Sequence, residues 1–236
     1  MWDFEAGEIL AFDKPLHWTS FDLVAKVRYA LCRKLGKKKL KVGHSGTLDP
    51  LATGIVVICT GKKTKLIDQL QYDVKEYVAE LQLGATTPSY DMEQDVDATY
   101  PTAHITRELI DATIPLFTGE QWQIPPMYSA VWVNGKRAYE LARQGEQVDL
   151  KPKLLVIDEI EVLHFDTEHM RLTLRVVCSK GTYIRALARD IGEKLGAGAY
   201  LTSLRRTRIG EIKVEECLTI EQFLEKLKNY EYVQNE

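Results

Sequence analysis

Residues 41–54 read Lys-Val-Gly-His-Ser-Gly-Thr-Leu-Asp-Pro-Leu-Ala-Thr-Gly. Three glycines, a histidine and one aspartate fall just after a run of cations and just before the apolar run Ile55 to Cys59. A polar loop held against a core strand is a place where a rigid scaffold presents a catalytic group. Taken alone, Asp49 before Pro50 reads as a turn residue rather than a catalytic one. Spacing excludes two chemistries. Six residues separate Gly54 from Gly61-Lys62, where a phosphate-binding loop needs four, and there is no Gly-x-Ser-x-Gly elbow.

A second segment, Ser179 to Asp190, reads as a strand-to-helix junction with Tyr183 and Arg185 in the first turn. The helix dipole favours an anion at that end. Arg185 is therefore either solvated or set against a carboxylate or phosphate.

The elements that position these groups follow from the apolar pattern. Glu8 to Asp13 predicts a strand ending at Lys14-Pro15, and Thr19 or Ser20 then caps a helix. Phe21, Val24, Ala25, Leu31, Cys32 and Leu35 recur at helical spacing, with Gly36 as the stop. Residues 37–50 form a basic loop, 55–59 a buried strand, 64–70 a short helix and 77–83 a half-buried strand. Acidic 86–101 is a loop, 106–117 is helical, and 123–127 is extended around Pro125 and Pro126. A helix at 137–143, a hairpin of 154–163 with 170–178, and a helix at 183–195 stopped by Gly196 complete the pattern. The mixture predicts an α+β fold whose mixed, largely antiparallel sheet is flanked by helices and loops.

With 236 residues and 26.9 kDa, one domain is expected over residues 1–236. Hydrophobic residues at 45% supply a core and exclude a disordered chain. No apolar run reaches the ~20 residues of a membrane helix, and residues 1–5 lack a secretory pattern. Cys32, Cys59, Cys178 and Cys217 lie far apart with no CxxC pair, which predicts reduced thiols in a cytoplasmic protein and no zinc site. His164 and His169 are five apart, a spacing that suits a hairpin turn better than a metal pair.

The net charge of −3 does not announce a nucleic-acid binder, but its distribution is uneven. From Leu23 to Leu48 there is no acidic residue, while Lys26, Arg28, Arg33, Lys34, Lys37, Lys38, Lys39 and Lys41 all fall there. Arg205, Arg206 and Arg208 form a second cluster. Such runs are either solvated faces or polyanion-binding faces.

Residues 43–54 closely resemble the signature of the bacterial tRNA pseudouridine-55 synthases, the TruB family. So do Lys14-Pro15 with Thr19-Ser20, Lys75-Glu76-Tyr77, residues 125–130, residues 181–185 and Leu204-Arg205-Arg206, in family order from about residue 8 to 222. The resemblance implies isomerisation of uridine 55 in the T-arm of tRNA to pseudouridine. The N1–C1′ bond breaks and a C5–C1′ bond forms, with no net redox change or hydrolysis, so no cofactor is implied. It further implies a catalytic core with its cleft across the sheet, and no guide RNA; without a heptad seam, a monomer is expected.

By the same resemblance Asp49 is the catalytic carboxylate and Arg185 its ionic partner, keeping it ionised in a pocket. Tyr77 stacks on the target base, Tyr183 and Leu204 line the uracil pocket, and His44 props the space beside the flipped nucleotide. Lys37, Lys38, Lys39 and Lys41 become phosphate contacts, extended by Arg205, Arg206 and Arg208. A non-catalytic tRNA-binding or tRNA-folding protein on the same scaffold is the alternative. The chain departs from the family at His17, where glycine is usual and positive φ suits histidine poorly. It departs again after about residue 222, where a short, acid-leaning helical tail is expected instead of a PUA domain.

Overall fold

The computed structural model describes residues 2–71, 73–133, 135–146 and 148–230. The expected helical tail beyond residue 230 lies outside them. The chain divides into two compact units, Met1–Lys75 with Arg205–Glu236, and Glu76–Leu204. Among the described residues nine strands enter a largely antiparallel sheet, which with six α-helices gives the expected α+β class.

The first unit contains β1 (Ile9–Lys14), α1 (Ser20–Lys34), β2 (Val42–Ser45), β3 (Ala52–Thr60), a 3-10 turn at Gly61–Leu66 and α2 (Ile67–Leu70). The second contains β4 (Lys75–Leu83), β5 (Ala85–Thr86), β6 (Ala98–Thr99), α3 (Arg107–Thr113), β7 (Gly119–Gln123), β8 (Trp132–Val133), β9 (Lys136–Arg137), α4 (Ala138–Arg143), β10 (Lys153–Asp166), β11 (Arg171–Cys178) and α5 (Ile184–Lys194). Strand β12 (Ala199–Ile209) is shared between the units, and β13 (Ile212–Lys213) and α6 (Ile220–Lys228) return to the first.

In the first unit the strand order is β1-β3-β12, with β2 also on β3 and β13 also on β12. Residues Ile55 to Thr60 of β3 are all buried, as a continuous β-branched and apolar run requires of a strand covered on both faces. Gly54 lets its neighbour approach: a Cβ there would lie 2.2 Å from the Arg206 carbonyl, and its φ is +105°. Helix α1 begins where the sequence predicts. Thr19 Oγ1 accepts from the Asp22 amide, and the Asp22 carboxylate accepts from the Thr19 amide, a reciprocal cap. Leu23, Val24, Val27 and Leu31 form its buried stripe, and Gly36 takes φ +64° at the stop. Phe223 of α6 docks edge-on to Phe12 of β1 at 5.3 Å between ring centroids.

In the second unit the order is β12-β4-β11-β10-β7. The β10–β11 hairpin turns at Asp166, whose carboxylate accepts from the amides of Glu168 and His169 and contacts His169 Nδ1 at 2.8 Å. The spacing of His164 and His169 thus belongs to a turn. Helix α5 packs so closely on the start of β12 that a Cβ at Gly192 would lie 2.2 Å from the Ala199 amide.

Three segments differ from the sequence expectation. Residues 42–45 pair with 57–60 as a strand, because Val42 and Ser45 are buried by β3 within an otherwise polar loop. Residues 86–101 carry the short β5–β6 ladder. Strand β12 interleaves arginines among its apolar positions, so charge obscured the strand.

Candidate active-site loop and nucleoside-binding residues

Asp49 lies in the six-residue connection between β2 and β3, and its side chain is half-buried. The backbone of this loop is held at every carbonyl from 46 to 50. Gly46 and Thr47 accept from the Arg206 guanidinium at 3.4 and 3.3 Å. Leu48 accepts from Ser20 Oγ at 3.1 Å, and its amide donates back to that oxygen at 2.9 Å. Asp49 accepts from the Ala52 amide at 3.1 Å, and Pro50 from the His17 amide at 2.8 Å. Such a loop cannot rotate its peptide planes without breaking hydrogen bonds, most of them partly or fully removed from water.

Two cations are buried behind it. Lys14 is fully buried, and its ammonium donates to the carbonyls of Pro15 and Trp18 at 3.0 and 2.7 Å. Burial lowers its pKa to about 8, against the opposing pull of the Asp49 carboxylate and in concert with the Arg206 charge. Arg206 is 2% exposed and also donates through Nε to the Ile55 carbonyl at 2.7 Å. His44 on β2 is half-buried, and its Nδ1 has no hydrogen-bond partner among the described residues. Burial holds its pKa below the usual histidine range, despite a backbone hydrogen bond with Gly46.

The structure corrects the expectation for Arg206 in the second arginine cluster. Arg206 is consumed by internal carbonyls and cannot be a surface phosphate contact. Arg205 is bound to the Asp13 carboxylate at 2.7 Å and to Thr53 Oγ1, so its charge is balanced within the unit. Arg208 Nη1 donates to the Gly210 carbonyl at 3.1 Å. In the basic run, Lys37 pairs with Glu5 while Lys38, Lys39 and Lys41 are exposed. The Gly61 amide donates to the Lys41 carbonyl at 2.9 Å, which brings the exposed Lys62 to the same end of β2. The sequence reading did not include Lys62; the strand pairing places it.

In the second unit, Arg185 is 5% exposed in the first turn of α5. Its guanidinium lies 3.6 Å from the Asp91 carboxylate and donates to the carbonyls of Ser89 and Tyr128 at 3.2 and 2.9 Å. The sequence reading missed Asp91, which sits in a polar stretch where nothing local distinguishes it from its acidic neighbours. Tyr183 caps α5 and is half-buried, Tyr77 on β4 is 8% exposed, and Leu204 on β12 is half-buried. Gln123, also missed, is 4% exposed and binds the Tyr183 backbone twice. Among the described residues no group of His, Cys, Asp and Glu side chains could hold a metal ion, and no helix is long and apolar enough to cross a membrane.

Residues 33–184 match the family described as TruB family pseudouridylate synthase (N terminal domain). Residues 185–236 match that described as tRNA pseudouridylate synthase B C-terminal domain. The chain is similar to tRNA pseudouridine synthase B of Phocaeicola vulgatus, with 62% identity over 229 residues that cover 97% of each chain. It is also similar to the protein of that name from Bacteroides thetaiotaomicron, with 60% identity over 99% of this chain and 98% of the relative. Among solved structures it resembles a chain of a Cbf5-Nop10-Gar1 complex, with TM-score 0.71 and 29% identity over 97% of its own length. It also resembles a chain of an H/ACA RNP bound to a substrate RNA containing 2′-deoxyuridine, with TM-score 0.68 and 26% identity over 97% of its length. The chain spans 58% and 57% of those two chains.

Proposed function

The chain belongs to the TruB family of pseudouridylate synthases, and from that membership we propose that it converts uridine 55 in the T-arm of tRNA to pseudouridine. It acts as a cytoplasmic monomer without a guide RNA. The observation that carries the reading is Asp49: its side chain is half-exposed while every carbonyl around it is hydrogen-bonded. A group fixed this way meets a substrate without reorganising first.

The target uridine leaves its stack to reach the carboxylate, at a cost of a few kcal/mol. Tyr77 offers its ring face to the uracil, and Tyr183 and Leu204 line the space around it. His44 Nδ1, which has no hydrogen-bond partner among the described residues, offers a hydrogen-bonding group beside the nucleotide. Breaking N1–C1′ builds positive character at C1′, which the Asp49 carboxylate stabilises or captures. Arg185, whose guanidinium lies 3.6 Å from the Asp91 carboxylate in the second unit, is the arginine that the family resemblance assigns to the site. The detached uracil turns, C5 bonds to C1′, the C5 proton leaves to solvent, and N1, freed from C1′, takes up a proton. Every atom other than that exchanged proton is retained, so the reaction balances without a redox partner. Exposed Lys38, Lys39 and Lys41 supply phosphate contacts that seat the T-arm.

The test is tritium release from 5-tritiated uridine in a tRNA transcript. The parent protein should release it, and Asp49→Asn should abolish release while tRNA binding stays near normal. Full activity in Asp49→Asn rejects the assignment.

A further inference from the structure

Asp49 reaches its substrate from a loop, and loops are ordinarily the mobile part of a fold. Here two buried side chains from distant parts of the first unit grip the peptide groups leading up to it. Ser20 stands at the first position of α1, is 2% exposed, and uses one hydroxyl both to donate to the Leu48 carbonyl and to accept from the Leu48 amide. Arg206, on β12, spreads its guanidinium over the carbonyls of Gly46, Thr47 and Ile55, which ties the start of the loop to the strand that follows it. We infer that Ser20 and Arg206 are positioning residues for Asp49: they lock the backbone from 46 to 48 so that the next residue's carboxylate is presented in a single place. The inference rests on reading Asp49 as the reacting carboxylate.

The chemistry of the two side chains fits that task better than simple packing. A buried guanidinium that only filled space would be better replaced by an apolar side chain, since desolvating a charge is expensive. Its value lies in a rigid planar fork that meets several carbonyls at once, which lysine cannot reproduce. The serine hydroxyl is the smallest group able to bind the amide and the carbonyl of one residue together. Displacing a reacting group by about 1 Å costs on the order of 100-fold in rate, so a loosened loop slows chemistry without touching the surface that binds RNA.

The experiment is a single-turnover measurement with enzyme in saturating excess over tritiated tRNA, beside a binding measurement and a thermal melt. Ser20→Ala should fold, bind tRNA within about twofold of the parent, and react roughly 10- to 100-fold more slowly. Ser20→Thr, which keeps the hydroxyl, should recover most of that rate. Arg206→Lys, which keeps the charge but loses the fork, should also slow the saturated rate. A folded Ser20→Ala protein with the parent's saturated rate overturns the inference, as does a rate loss that vanishes at saturation. If Ser20→Ala does not fold, Arg206→Lys decides by the same criteria. Asp49→Asn, run in parallel, separates the two readings. If it is inactive while Ser20→Ala is fully active, only the positioning role falls; if it is active, the assignment of Asp49 falls.

Discussion

The side-chain amide of Gln123 and the backbone of Tyr183 close a ring of two hydrogen bonds: Nε2 donates to the Tyr183 carbonyl at 3.2 Å, and the Tyr183 amide donates to Oε1 at 2.9 Å. This ties the end of β7 to the start of α5 and fixes the backbone that carries a proposed uracil-pocket tyrosine. Gln123→Glu keeps the shape but turns a donor into an acceptor against the Tyr183 carbonyl. It should destabilise the protein by about 1–3 kcal/mol in denaturant unfolding and lower the saturated rate of tritium release. An unfolding midpoint equal to the parent's would show that the ring contributes nothing.

Lys14 gives a pH-dependent stability with a definite sign. Its pKa is about 8 in the folded protein and near 10.5 when unfolded. Between those values the unfolded chain binds more protons, so stability rises with pH across the window. Below pH 8 both states carry the charge and the folded state bears the full burial penalty, of the order of 3 kcal/mol at most. Unfolding free energies measured from pH 7.5 to 10.5 should therefore climb in the parent relative to Lys14→Met. Parallel curves for the two proteins would contradict the burial of the ammonium.

The cationic run divides into paired and exposed members. Replacing Lys38, Lys39 and Lys41 with alanine should weaken tRNA binding and reduce the slope of log affinity against log salt by about 2 to 3, if each lysine meets a phosphate. Lys37→Ala should leave that slope unchanged, because Glu5 already balances its charge. Its stability should change by less than about 1 kcal/mol. Titrations at several salt concentrations decide both.

His17 adopts φ +66° in the turn between β1 and α1, a conformation that costs an L-residue about 1–2 kcal/mol. Glycine removes the strain but loses more freedom on folding, about 0.5–1 kcal/mol. His17→Gly should thus stabilise the protein by up to about 1 kcal/mol, while β-branched His17→Val should destabilise it. Thermal melts of the two variants should move in opposite directions from the parent.

The amino-acid sequence by itself determined the elements whose signals are local. The capped start and glycine stop of α1, the buried β3 and the β10–β11 hairpin all follow from apolar period and turn chemistry within a few residues. It also determined the family, because six collinear motifs specify which chemistry-bearing side chains stand at which positions. What it could not determine was the partner of each charge. Arg205, Arg206 and Arg208 look alike in the chain, yet one is bound to Asp13, one is buried under the loop of Asp49, and one reaches the Gly210 carbonyl. Lys37 is likewise indistinguishable from Lys38 until Glu5 is brought to it from 32 residues away. The physical reason is that a charge's role depends on its solvation and on which carbonyls and carboxylates surround it. Those neighbours come from strands and helices far apart in the chain, and only the tertiary fold decides which of them meet.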